Sequence, residues 1–398
     1  MTGRPSDILA DRDGMRVLAG SMALMAVLGS IHAFSVFLTP IEATFGVTRS
    51  DASLTYSLGL AVLTVQVLFG HRIYRRLGPP LLVGVSTILG AGGAVMAAYA
   101  DGIGTVWLGY GVMFGAANGL GYGFCLQFAA QANPEHRGVA MGLVTAAYGL
   151  GAAVAPLPLD AIMTEFGYRG GMLGLAAAVA VVGPMVAAIF ARSGKALATD
   201  SVADGGLSGP ATGDIVLMWS AYGAAVAAGL MAIGHATGIA YAAGLREGWV
   251  VAAPVAIAAA NVTGSCLGGY LIDIVGARRL LQGVAALSAA ALIAMTFVAA
   301  PAFAVAGLAM IGFSYGATIA AFPAAIGTVY GPVTAIRAYG RVFTAWGVAG
   351  LFAPWIAGFL YERSGDYASA LILAAILAAS SLISLHWFPS PGRRAAEA

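Results

Sequence analysis

Charge is what this chain has least of. Only 9% of its 398 residues are Asp, Glu, Lys or Arg, against roughly 25% in a soluble domain. A chain so poor in charge cannot cover itself with a polar surface, which excludes an ordinary soluble protein and makes a bilayer the natural solvent. Lysine is nearly absent, with Lys195 the single instance. The net charge is +2 and the basic residues sit in short loops, so no basic face for nucleic acid is expected. Cysteine is scarce as well. Cys125 and Cys266 both stand in apolar runs, without metal-ligand spacing or a disulfide framework, and read as small apolar filler. No nucleophile–base pair, metal cluster or phosphate loop is visible. The GxGxxG-like fragments of "GYGVMFGAANGLGYGF" lie in an apolar run with no strand before them. The chain is therefore expected to be no enzyme and to use no cofactor and no metal.

What is abundant is apolar. Hydrophobic residues make up 60% of the chain, and there are 56 glycines, about twice the usual share. In a membrane, small residues let helices approach closely. Windows of about 20 apolar residues give twelve candidate spans: 15–40, 52–72, 79–100, 103–131, 138–164, 168–192, 214–243, 250–272, 280–299, 301–330, 337–361 and 368–388. The first is preceded by the mixed-charge segment "MTGRPSDILADRDGMR" and is too long for a signal-peptide core. With the N-terminus in the cytoplasm, 15 Lys and Arg fall on the cytoplasmic side. Only Arg49, Arg169, Arg246 and Arg363 fall outside. This bias predicts both termini inside and a multi-pass protein of the inner (plasma) membrane.

The polar stretch 193–213, rich in Gly, Ser, Ala and Asp, reads as a cytoplasmic linker between an N-terminal bundle, 1–192, and a C-terminal bundle, 214–398. The halves repeat. "TAAYGLGAAVAP" from Thr145 answers "TAWGVAGLFAP" from Thr344. Tyr148 and Trp346, Pro156 and Pro354, and Gly167 and Gly365 all stand 198 positions apart. "GHRIYRRLG" from Gly70 and "GGYLIDIVGARR" around Gly269 agree at an offset of 199. Duplicated six-helix halves across a polar linker are the architecture of secondary transporters.

The turn Gly269, Asp273, Gly276, Arg278 resembles the loop motif of the major facilitator superfamily. Within it, "GSIHAFSVFLTPIEATFGVTRSDASLTYSL" (29–58) and "YGRVFTAWGVAGLFAP" (339–354) resemble the oxalate/formate antiporter family, a relative of the monocarboxylate porters. The resemblance implies an all-α integral membrane protein of twelve transmembrane helices in two pseudo-symmetric six-helix bundles. It implies secondary active transport of a small organic anion. The chain departs from that pattern in places. Ser265 stands four residues after Asn261, where carboxylate-moving members often carry Arg. Trp346 stands where some carry Lys, and Tyr74 or Arg75 stands where the first-half loop motif has Asp. An exporter of a neutral or cationic small molecule, and a transporter-like ligand sensor, stay open as alternatives.

Few ionisable residues lie deep in the spans. Glu42 and Asp160 are near outer ends, and Arg341 is one turn into span eleven. Only His32, in span one, and His235, in span seven, are deep, and "SIHAFSVF" lies over "IGHATGIA" with the two histidines matched. Each histidine either lines a transport pathway or is bonded inside its own half. Imidazole titrates near 6.5, so the pair is expected to bind an anion when charged and release it when neutral, coupling transport to a proton. Tyr148, Trp346, Tyr122, Gln127, Tyr315, Thr318, Phe322, Asn261 and Ser265 are the expected walls and donors of a substrate site. Gly269, Asp273, Gly276, Arg278 and Arg341 are the expected gating elements. The expected partners are a small-molecule substrate and the lipid bilayer, with the protein a monomer.

Overall fold

The computed structural model describes residues 11–199, 211–246, 252–298 and 300–389, without the side chains of 49 and 50. The expectations for Arg4, Arg393 and Arg394, and for most of the linker, lie outside the described residues. Among those described, every regular element is a helix.

Helix α1 (Arg12–Leu28) is capped by Asp11, whose carboxylate accepts from the amides of Asp13 and Gly14. The chain then tightens into a 3₁₀ segment, Gly29–Phe37, resumes as α2 (Leu38–Phe45) and stops at left-handed Gly46. Helix α3 (Arg49–Tyr74) opens with a capping box between Thr48 and Asp51. Helix α4 (Pro79–Ala98) follows. A short α5 (Ile103–Val106) then runs through a π segment, Trp107–Phe114, into α6 (Gly115–Ala132). Next come α7 (Arg137–Val154) and α8 (Pro156–Ser193). The second half holds α9 (Thr212–Gly234), α10 (Ala236–Ala242), α11 (Ala252–Val275), α12 (Ala277–Phe297), α13 (Pro301–Ser364) and α14 (Ala368–Ser384).

Nine helical runs among the described residues are long and apolar enough to cross a membrane. Twelve crossings are expected, and the difference is one of continuity. The runs Arg137–Ser193 and Pro301–Ser364 hold 57 and 64 residues. At ~1.5 Å per residue they would measure roughly 85 and 95 Å, against ~30 Å of hydrocarbon. Gly167 (φ 64°) and Gly331 (φ 74°) break each into two lengths, a conformation glycine adopts without steric cost. Pro332, which lacks an N–H, follows the second break. The twelfth crossing is the run from Ile103 to Ala132, interrupted by its π segment. The repeat also appears in the backbone: Gly46 pairs with Gly244, and Gly167 with Gly365, at the same offset, and all four have positive φ.

The contacts divide the chain into two units. One takes Met1–His136 with Ala147–Ser201, the other Arg137–Ala146 with Val202–Ala398. Each unit is held by the same device. In the first, Gly115 and Gly119 of α6 press on the backbone of Gly59 and Leu63 in α3. In the second, Gly312 and Gly316 of α13 press on Ile257 and Asn261 in α11. A side-chain carbon at any of the four would overlap a facing carbonyl oxygen. Such contacts replace the hydrophobic drive that lipid removes.

Candidate functional site

In the first unit, Tyr56 and Tyr148 meet at His32, and Tyr122 and Asn118 adjoin Tyr148. Gly29 lies against the Tyr148 carbonyl, and Gly151 against that of Ala26, so α1 and α7 touch backbone to backbone. The 3₁₀ segment begins at this contact, and long 3₁₀ runs inside helices often mark functional positions. His32 lies in that segment, half-buried, with its Nδ1 2.6 Å from the Tyr56 hydroxyl of α3. Tyr148 meets the His32 ring edge-on, 5.3 Å between centroids. The Tyr148 hydroxyl donates to Asn118 Oδ1 of α6 at 3.0 Å, and Tyr122 packs against the Tyr148 ring at 5.1 Å. Phe34 stacks on Tyr56 at 5.9 Å and tilts against Tyr110 of the π segment at 5.0 Å. Tyr110 in turn donates to the Ile31 carbonyl at 3.3 Å. His32, Tyr148 and Tyr122 are thus brought together. Gln127 is buried further along α6, and its amide nitrogen has no partner there.

The second unit builds a different arrangement on its repeat-matched residues. His235 stands at the break between α9 and α10, so both histidines occupy an interruption of their half's first span. Its Nε2 donates to the Pro354 carbonyl at 2.9 Å, and the Tyr367 hydroxyl is 3.5 Å from its Nδ1. Trp346 donates through Nε1 to the Tyr315 hydroxyl at 2.9 Å and stacks on Phe343 at 5.2 Å. The other expected wall residues are occupied in packing. Phe322 is fully buried against Tyr222, 4.7 Å between centroids. The Ser265 hydroxyl donates to the Gly316 carbonyl, and the Thr318 hydroxyl turns back to the Ser314 carbonyl. Asn261, half-buried, supplies the carbonyl against which Gly316 rests.

The loop-motif residues form a third group, inside the second unit. Gly269 packs glycine-on-glycine with Gly138 and Gly142. One turn further, the Asp273 carboxylate accepts from the amides of Gly138 and Val139 at 3.1 Å each. These amides belong to the first turn of α7, where a helix leaves its N–H groups unpaired and favours a negative charge. Gly276, with φ 84°, ends α11. Arg278 donates to His386 Nδ1 at 3.0 Å. Arg341 is exposed, and its carbonyl accepts from Thr344.

Sequence reasoning missed Tyr56, Asn118 and Tyr367. Asn118 carried a signal, since it stands 197 positions before Tyr315, the residue with the same job in the other half. Tyr56 carried none. It is one of several hydroxyl side chains in span two, and only the helix register turns it toward His32.

Residues 211–398 match the family model described as Major Facilitator Superfamily. The oxalate:formate antiporter of Oxalobacter formigenes is 24% identical, over 98% of this chain and 95% of that protein. Monocarboxylate transporter 11 of Mus musculus is 25% identical, over 96% of this chain and 89% of that protein. Among solved structures, the proton:xylose symporter XylE bound to 6-bromo-6-deoxy-D-glucose superposes with a TM-score of 0.72 at 13% identity, covering 94% of this chain and 96% of that one. The transporter FucP in the outward conformation gives 0.67 at 14% identity, covering 95% and 100%. At these identities the two structures speak for the fold. Fold and sequence together make this chain similar to the multi-pass membrane transporters of the major facilitator superfamily, the oxalate:formate antiporter and the monocarboxylate transporters among them.

Proposed function

We propose that this protein is a transporter of the major facilitator superfamily and moves a small organic anion, a monocarboxylate in the first place, by alternating access. The observation that carries the reading is the His32 cluster. It sets an imidazole among three tyrosines, Tyr56, Tyr148 and Tyr122, at the interrupted part of span one. Irregular backbone at membrane depth is where transporters of this general design bind their substrates. Hydroxyl and imidazole groups suit one carboxylate. A dicarboxylate would need fixed cations, and the positions where relatives of this kind often carry them hold Ser265 and Trp346. The names of the oxalate:formate antiporter and the monocarboxylate transporter support the same substrate class.

In this reading His32 contacts the substrate and carries the coupled proton, and Tyr148 and Tyr122 form the wall. His235 has a smaller part, because both of its ring nitrogens face groups of its own unit. Asp273 acts in gating by holding the start of α7. The Lys and Arg bias supports cytoplasmic termini in an inner membrane, and the protein works as a monomer.

A thermal-shift screen of the purified protein with monocarboxylates, dicarboxylates and cationic drugs, at two pH values, tests the substrate class. Stabilisation by monocarboxylates is expected. Stabilisation by cations alone would contradict the reading and favour drug-type efflux.

A further inference from the structure

Four helices of the second unit border a small cavity. It lies where Gly229 of α9, Ser288 of α12, Ser314 and Thr318 of α13, and Ala378 of α14 come together. Its volume is about 10 Å³, close to the room that a single water molecule needs. The lining is mostly apolar, but three of its residues carry hydroxyls, and all three are buried. The Thr318 hydroxyl donates to the Ser314 carbonyl at 2.7 Å, so its oxygen keeps only the capacity to accept. The Ser314 hydroxyl is sealed from solvent and meets no hydrogen-bond partner among the described residues. A buried polar group left that way is costly, and native structures supply a partner, often an ordered water.

The first unit closes the matching place by apolar contact. A side-chain carbon at Gly90 would lie 3.2 Å from Val179 Cγ1 and 3.3 Å from Ala117 Cβ. The repeat partners of Gly90, Val179 and Ala117 are Ser288, Ala378 and Ser314, at offsets of 198, 199 and 197. The offset of 199 also matches Tyr168 to Tyr367 in the same spans, and 197 matches Asn118 to Tyr315. All three partners line the cavity. Where the first unit has Val the second has Ala, which opens the space. Where the first has Gly and Ala the second has Ser, which makes the space polar.

We infer that this cavity is a binding site for one water molecule. Ser314 donates to the water, and the water donates to the Ser288 and Thr318 oxygens. Three hydrogen bonds are the usual number for a buried water. The two units, alike in backbone, thus close their interiors differently, one by side-chain contact and the other by hydration. A space of this size takes no carboxylic acid, so the water stands apart from whatever the protein moves.

Ala378→Val restores the first unit's filler and tests the assignment by thermal unfolding in detergent. It is made in the unmodified protein and in a Ser288→Ala/Ser314→Ala background. In the unmodified protein the added methyl groups displace the water and strand the Ser314 hydroxyl, and Tm is expected to fall by about 2–4 °C. In the alanine background the same change fills an apolar gap, and Tm is expected to rise by about 2–4 °C. A change of the same sign and size in both backgrounds would overturn the proposal, because a dry or an overpacked cavity responds without regard to the serines. A crystal structure of the unmodified protein at about 2 Å resolution needs no variant to fold. One ordered water roughly 2.7–3.0 Å from Ser314 Oγ is expected, and a dry cavity there would overturn the assignment.

Discussion

The Trp346 indole donates to the Tyr315 hydroxyl at 2.9 Å, joining the two lengths of α13 on either side of Gly331. The first half does the same thing with different atoms. There Tyr148, the repeat partner of Trp346, donates to Asn118, the near-partner of Tyr315, at 3.0 Å. An aromatic donor reaching an acceptor on the neighbouring span has been kept in both halves, while the residues themselves have changed. The bond belongs to the architecture, and the chemistry around it distinguishes the halves.

Breaking this bond is expected to loosen one half without unfolding it. A double-mutant cycle of Trp346→Phe and Tyr315→Phe should give a coupling of about 0.5–1.5 kcal/mol, the range for interhelical hydrogen bonds in membranes. Reversible unfolding in mixed detergent measures it. Strict additivity would mean that the bond adds nothing.

The glycine contacts are expected to cost more. Gly316→Ala puts a methyl group onto the Asn261 carbonyl and should destabilise by about 1–3 kcal/mol, as overpacked cores do. Gly350→Ala is the comparison, because nothing lies within 4 Å of its added carbon. It should be neutral or stabilising by up to about 1 kcal/mol, from helix propensity alone. Thermal unfolding of the two variants checks the contrast.

Asp273 caps α7 through two amides. Asp273→Ala should cost about 1 kcal/mol of stability, the usual value of a lost cap, and should also slow transport. Asp273→Asn keeps an oxygen that can accept, and should fall between. If the alanine variant loses transport with no change in stability, the carboxylate acts by some means other than holding the helix start.

In the first unit, Lys195 donates to the Asp11 carboxylate at 2.6 Å and to the Ala132 carbonyl at 3.3 Å. Gln131 clasps both the N–H and the C=O of Ala198 beside it. The hydrogen bond from Lys195 holds Asp11 below the ordinary carboxyl value of 3.8. An acid depressed in the folded state adds stability above its unfolded value and loses it as pH falls through the folded one. Docking of residues 193–199 should therefore hold from neutral pH down to about 4 and loosen below it. The pair is exposed, so the effect is small and weakened by salt. Hydrogen exchange at the Ala198 amide, with and without Lys195→Gln, reports it. Loosening already at pH 6 would point to a different group.

The spans were legible because lipid selects on one property, and a window of apolar residues reads that property directly. Their ends came out within a few residues, including the breaks at Gly167 and near Gly331. The turns inside spans were not legible. The 3₁₀ segment around His32 and the π segment around Tyr110 depend on where glycines let one backbone rest on another, and that is a contact between helices. The same limit applies to the site. His32, Tyr148 and Tyr122 could be selected by type and repeat position. Phe322, Ser265 and Thr318 look equally suitable in the sequence, yet each is engaged within the packing of its own unit. Span two carries several hydroxyl side chains, so no pattern in it singles out Tyr56.

The central claim is that His32 stands at the site of an organic-anion transporter. Counterflow in proteoliposomes tests it most directly. Vesicles loaded with unlabelled lactate or formate should accumulate the labelled acid, and His32→Ala should abolish this while leaving the protein folded in the membrane. Counterflow of sugars or organic cations but of no carboxylate, or full carboxylate counterflow by His32→Ala, would contradict the account.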